Sequence, residues 1–475
     1  MRQPGWGLTP AFVMALALAA TAQEKPVTTN KDMTDTVKVT VTGHLELDYV
    51  WRSKELEQFV DTDGTQGTTE SENTFEGYVA VRFNVELSDK VSAVVEVGTV
   101  RVDDGFIEAW GQPEADGTSI DLFLREAHVQ LGDFLTNGVT AQFGITTWSF
   151  DVRGRGSAFV FDPRHSQSFV RNASVTADGS IGSNAPEELA PVGGVFTYTR
   201  EQLQVELVLL PAVIEQGPAS ADEALYAIDL YYKLDNARSR VGAIIALVAM
   251  PDPDFAGPAG GGGGTTVFTI GGGATLMGLV PNLELYGEIY FQFGDVARDV
   301  DAGGFAFQLG GEYTLDPNGI RLGANLTWIS GDDDTTVTDD TNDAFLSYEN
   351  VNDLLIIESM YFGVDWDSNY FAVKFKGELP LDVKAKGDLV LSVILGITRT
   401  AEDVEFGGGV SEDALGNEID FKARWAVTKQ AALHAAIGLL FGSDVLEESF
   451  VPGGANHDDA DDSAILFVLG AELNF

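Results

Sequence analysis

The chain has 475 residues, 53 of them glycine, 16 proline and none cysteine, with 28 Lys+Arg against 73 Asp+Glu for a net charge of −45. The absence of thiols excludes a disulfide scaffold, a thiolate metal centre and a cysteine nucleophile. So acidic a surface repels nucleic acid, and 44% hydrophobic residues exclude a solvated disordered chain.

Residues 1–22 read as an export signal: Arg2 is their one charge, an apolar run from Ala11 to Ala20 follows, and Ala20-Thr21-Ala22 supplies the small-x-small cleavage pattern. Cleavage removes that Arg and moves the net charge from −45 to −46. Residues 23–35 are expected to form a short periplasmic lead. Beyond residue 22 no apolar run reaches the roughly 18 residues that a membrane helix needs. A periplasmic protein, a secreted protein or a barrel that crosses an outer membrane with strands remains.

From Val37 the odd positions are apolar up to Trp51, while the even ones read Lys38, Thr40, Thr42, His44, Glu46 and Asp48. This is the period of a strand with one apolar face, sustained well past the usual five or six residues. The pattern returns through the chain and predicts eighteen strands: 36–52, 74–88, 91–101, 119–131, 138–148, 190–200, 202–211, 224–234, 240–250, 264–276, 283–294, 303–315, 319–330, 369–379, 387–399, 415–428, 431–442 and 463–475. Short gaps with turn chemistry, such as Asp316-Pro317-Asn318-Gly319, alternate with long acidic, Gly-rich ones. Short turns at one end of a single sheet and long loops at the other predict an all-β fold, a transmembrane antiparallel β-barrel with long extracellular loops and short periplasmic turns. The competing all-β reading is a soluble solenoid or a pair of sandwiches, which would bury the apolar faces against a second sheet.

Aromatic residues recur near strand ends at Tyr49, Trp51, Trp148, Tyr198, Trp328, Trp425 and Phe441, as an interfacial girdle requires. The last strand alternates through Ile465, Phe467, Leu469, Ala471 and Leu473 to Phe475, the pattern of an insertion signal read by barrel assembly machinery. Three stretches then resemble the alginate-export-like outer-membrane porins: Leu124-Arg125-Glu126-Ala127-His128-Val129, Ser330-Gly331-Asp332-Asp333-Asp334 and Leu415-Gly416-Asn417-Glu418-Ile419-Asp420. The resemblance implies an 18-stranded barrel and agrees with the strand count. Where that family has Gly-Arg-Gln followed by Tyr-Gly-Asp-x-Arg, this chain keeps only Gly144, an aromatic, Asp151 and Arg153.

The longest gap, 149–189, is expected to be the third outer loop and to narrow the bore. Its Arg153, Arg155, Arg164 and Arg171, with Asp151 and Asp162, are the candidate constriction; the alternative is that they pair with acidic loops on the outer surface. Candidate lumen-wall residues are Glu46, Asp48, Arg82, Arg125, Glu288, Arg321, Lys374, Asp420 and Arg424. Opposite charges across a wet bore would orient dipolar solutes; packed together they would fill it. Asp332, Asp333 and Asp334 open an acidic outer loop that could take Ca2+ or simply be solvated; no other cofactor is expected. Residues 355–366 look strand-like inside a long outer loop, and either extend the next strand or drop into the mouth.

No Gly-x-Ser-x-Gly elbow or His-Glu-x-x-His helix occurs, and His44, His128 and His434 fall on polar strand positions, so no enzyme is expected. The expected function is passive diffusion of small hydrophilic solutes, cationic or neutral, across the outer membrane of a Gram-negative-type bacterium. Lipid and lipopolysaccharide would surround a monomer or trimer. The alternatives are an exporter of an acidic, alginate-like polysaccharide and a plugged barrel acting as surface receptor or scaffold.

Overall fold

A computed structural model describes residues 37–53, 72–98, 123–146, 148, 150, 189–215, 224–234, 239–250, 265–297, 300–315, 319–332, 341–345, 347, 353–358, 369–383, 387–406, 410–442 and 463–475. The expected export signal and the periplasmic lead lie outside these residues. Among them every regular element is a strand. The strands are β1 (Lys38–Arg52), β2 (Glu72–Ser88), β3 (Val91–Gly98), β4 (Phe123–Leu131), β5 (Val139–Ile145), β6 (Leu189–Arg200), β7 (Leu203–Glu215), β8 (Ala224–Leu234), β9 (Ser239–Met250) and β10 (Thr265–Met277). They continue as β11 (Leu283–Ala297), β12 (Val300–Ala302), β13 (Phe305–Leu315), β14 (Ile320–Ile329), β15 (Thr341–Asn342), β16 (Tyr370–Asp382), β17 (Asp388–Phe406), β18 (Val410–Ala426), β19 (Ala431–Phe441) and β20 (Ala464–Asn474).

Leaving aside the short β12 and β15, eighteen strands pair antiparallel with their sequence neighbours, and β20 returns to pair with β1. The sheet is therefore a closed 18-stranded antiparallel barrel, in which no wall strand is left with an unpaired edge. The closing seam runs from His44↔Asn474 to Arg52↔Leu466, and Gly43 and Phe475 exchange both backbone hydrogen bonds at 2.6 and 3.0 Å. Short turns gather at one end; there Gly319 takes φ +67° and returns its N–H to Leu315 O at 3.0 Å.

On many strands burial is inverted relative to a soluble protein. On β8 Ile228 is 56% exposed whereas its neighbour Asp229 is fully buried. Leu309, Phe375, Phe421 and Leu469 are exposed in the same way, while Glu288, Gln308, Lys374 and Asp420 are buried. A continuous belt of exposed apolar side chains this large marks a surface made for hydrocarbon, and the buried polar set marks the inside.

Two expectations are corrected. β17 and β18 run on as one hairpin to Phe406↔Val410, across residues expected to be a long loop. The Arg399–Asp413 ion pair, 2.8 Å, spans the hairpin where its register shifts. Trp148 is not part of an outer girdle: it is 5% exposed and points into the barrel. Trp328, by contrast, sits on the outer face, edge-on to Phe371 at 5.8 Å.

Candidate functional site

The inner face is set by register. Cross-strand partners Asp48, Gly470 and His434 follow one another across β1, β20 and β19, and Arg424 and Val390 continue the row-by-row pattern onto β18 and β17. Because the period is two, each strand offers every second residue to the interior. Most inner cations have a carboxylate beside them. Arg82 bonds Glu96 at 3.1 Å and also Glu126. Arg321 and Lys376 share Glu378 at 2.7 and 3.1 Å, and Arg424 pairs with Glu472. Glu288 accepts from Tyr290 Oη at 2.9 Å. His128 stands between Gln142, 2.7 Å, and Glu126, 3.0 Å.

Two segments fold inward. The first continues β5 with unbroken parity: Gln142 and Gly144 are inner residues, and Thr146, Trp148 and Phe150 are buried inside. Trp148 Nε1 donates to Glu206 Oε2 and Asp229 Oδ2, both at 3.1 Å. Phe150 stacks on Tyr231 at 5.4 Å and meets Tyr290 edge-on at 6.3 Å. The expected constriction residues Asp151, Arg153, Arg155, Asp162, Arg164 and Arg171 lie beyond it, outside the described residues.

The second inward segment is Asp353–Glu358, whose last four residues open the strand-like stretch 355–366; residues 359–366 lie outside the described residues. The segment lies in the lumen against β14, β16, β17, β18 and β19. Its backbone N–H groups end on carboxylates. Leu355 N donates to Asp420 Oδ2 at 2.9 Å, and Ile356 N and Ile357 N donate to the two oxygens of Glu418 at 2.7 and 3.0 Å. The segment's own Glu358 receives Asp353 N and Leu354 N, each at 3.0 Å, and Tyr370 Oη at 2.6 Å. Lys374 Nζ completes the knot with 2.9 and 3.0 Å contacts to Glu358 and one of 2.9 Å to Asp353. Such charge-assisted bonds satisfy a backbone that has no ladder of its own. The Lys374 ammonium beside Asp353 holds its carboxyl below the usual carboxylate range, with Lys376 and Lys422 acting in the same sense against the cost of burial.

Glycine in the wall makes the room. A Cβ at Gly396 would stand 2.6 Å from Leu354 Cδ1, and one at Gly438 would stand 3.2 Å from atoms of Ile356 and Leu355. Ile356 and Ile357 are fully buried, each contributing roughly 1.5–3 kcal/mol of apolar burial. On the short-turn side of the segment a cavity of about 490 Å³ opens, faced by Lys376, Lys422, Arg424, Glu46, His434 and Leu355.

Of the lumen-wall candidates, Lys374 and Asp420 are thus brought together under one segment. Arg321 and Arg424 lie nearer the short turns, Glu46 and Asp48 sit on β1 at the seam, and Glu288 and Arg82 are on other parts of the wall. Arg125 is in β4, its side chain outside the described set; of Asp332, Asp333 and Asp334 only Asp332 is described. Of the three carboxylates that hold the segment, Asp420 was a lumen-wall candidate, Glu418 stood only within the motif Leu415–Asp420, and Glu358 was not a candidate. Glu418 carried a signal nonetheless: it shares with Asp420 the polar parity of a strand whose motif the sequence had singled out.

The fold resembles solved outer-membrane barrels. Pseudomonas aeruginosa OpdK, crystallised with vanillate, superposes with a TM-score of 0.53 at 9% identity, over 92% of this chain and 99% of that one. Acinetobacter baumannii OccAB3 gives 0.54 at 12% identity, with 92% and 99% covered. Pseudomonas aeruginosa OccK5 (OpdH) gives 0.50 at 11%, with 92% and 98% covered. OpdK is an outer membrane protein. No family model matches the sequence, and no curated protein does. The likeness to the alginate-export-like group therefore rests on its three short motifs, and what this chain shares with the solved structures is the closed 18-stranded outer-membrane barrel fold.

Proposed function

We propose that this chain is an outer-membrane channel for passive diffusion of small hydrophilic solutes, with a preference for cations or neutral molecules. The observation that carries the reading is the inverted barrel: an apolar outside, and an inside lined with Glu, Asp, Lys, Arg and His around an open cavity. Eighteen strands enclose a bore wide enough for water unless loops close it. The cation preference follows from pairing. Arg82, Arg321, Lys374, Lys376 and Arg424 each have a carboxylate within hydrogen-bond reach, so the wall's positive charge is locally neutralised and the acid excess sets the field.

The experiment is single-channel recording in planar bilayers under a salt gradient. Discrete conductance steps and a reversal potential of cation sign are expected; a clear anion preference would refute the selectivity. The second reading is a plugged barrel serving as receptor or scaffold, favoured by the two inward segments with their buried Phe150, Ile356 and Ile357. It requires no conductance at any voltage. Export of an acidic polysaccharide would need a continuous cationic track, and the paired inner cations speak against one.

A further inference from the structure

At the closing seam three inner side chains from the two ends of the chain converge. Glu46 and Asp48 stand two residues apart on β1, and His434 reaches toward them from β19 across β20. One ligand atom from each, an imidazole nitrogen and two carboxylate oxygens, lie within 4.8 Å of one another. His434 Nε2 and Asp48 Oδ1 are 2.7 Å apart. The strand between them carries Gly470, where any Cβ would collide with both Asp48 Oδ1 and His434 Nε2. The glycine is what lets the groups meet. His44 adds a second imidazole beside Glu46, with Nε2 at 3.4 Å from Oε2.

We propose that Glu46, Asp48 and His434 form a binding site for a divalent transition-metal ion of the zinc class on the lumen wall. One imidazole and two carboxylates are a ligand set that such an ion takes with a further position left to water, and imidazole selects it over calcium or magnesium. Ligand atoms around a tetrahedral ion lie roughly 3.3 Å apart, so the Asp48–His434 hydrogen bond has to open by about half an ångström. His434 then presents the Nε2 lone pair, and its proton moves to Nδ1 or to water. The two carboxylates offset the ion's charge. Arg424, cross-strand neighbour of His434, is committed to Glu472 and does not compensate them. Glu46 and His434 face the 490 Å³ cavity, so an ion reaches the site through the bore.

The test is calorimetric titration of the detergent-folded full chain with Zn2+ in the presence of millimolar Ca2+, added to compete for carboxylate-only sites. This readout does not depend on whether the barrel conducts. One saturable site is expected, weakened at least about tenfold in His434→Gln, a change that keeps a hydrogen-bond donor toward Asp48, and likewise in Gly470→Val. Folding of each variant is checked by heat-modifiable gel mobility. For the unaltered protein, Cu2+ electron paramagnetic resonance gives an independent reading and should show coupling to imidazole nitrogen. Absence of Zn2+ heat, equal affinity in His434→Gln, or a Cu2+ spectrum with oxygen ligands only would each overturn the proposal.

Discussion

Replacing Lys374 with Met is the sharpest perturbation of the inward segment. The ammonium touches both oxygens of Glu358, whose side chain is fully buried, and one oxygen of Asp353, which is 39% exposed. Removing one partner of a buried pair costs about 3–5 kcal/mol, because the other charge stays behind; the more exposed Asp353 contact adds less than about 1 kcal/mol. Glu358 keeps Tyr370 Oη and two backbone N–H donors, so the lower figure applies. About 3 kcal/mol shifts the balance between docked and released segment by roughly a hundredfold. The wall is untouched, since its ladder is backbone. Hydrogen exchange at the amides of Leu354 to Ile357 should therefore accelerate by about that factor, with unchanged exchange in β1 and β20. In bilayers the variant should show a larger or noisier unit conductance. Wild-type exchange at those four amides would refute the idea that this knot holds the segment.

Gly396→Val should displace Leu354 without altering any charge, and so raise conductance and segment exchange together; an unchanged current would show that the segment does not obstruct the bore. Glu418→Ala leaves the buried Ile356 and Ile357 N–H groups without acceptors, at about 1–3 kcal/mol each, whereas Glu418→Gln keeps one acceptor oxygen and should lose about half as much; urea-dependent exchange of these amides checks the order. Arg82→Met removes the guanidinium shared by Glu96 and Glu126 and should move the reversal potential further toward cations, a shift toward anions being the contrary result.

The strands were legible because lipid imposes the same alternation on every one of them, and a single such signal repeated eighteen times outweighs any local ambiguity. Depth was not legible. Gly396 and Gly438 are unremarkable on their own strands, and only the ladder between strands sets them beside Glu418 and Asp420 beneath Asp353–Glu358. Trp148 was misread because an aromatic near a strand end suits a girdle and a lumen equally well. Parity would have decided it, since Trp148 and Phe150 fall on the same register as Gln142, an inner residue.

The joint between β1 and β20 has a consequence for assembly. Every other ladder in the wall zips neighbours along the chain, but here His44 meets Asn474, 430 positions away. Nothing can be gained at this joint until β20 exists. A sheet of β1 to β19 alone would be a curved ribbon with two raw margins, each a template for stray pairing. A chain cut before Ala464 should therefore clump and not merely leak.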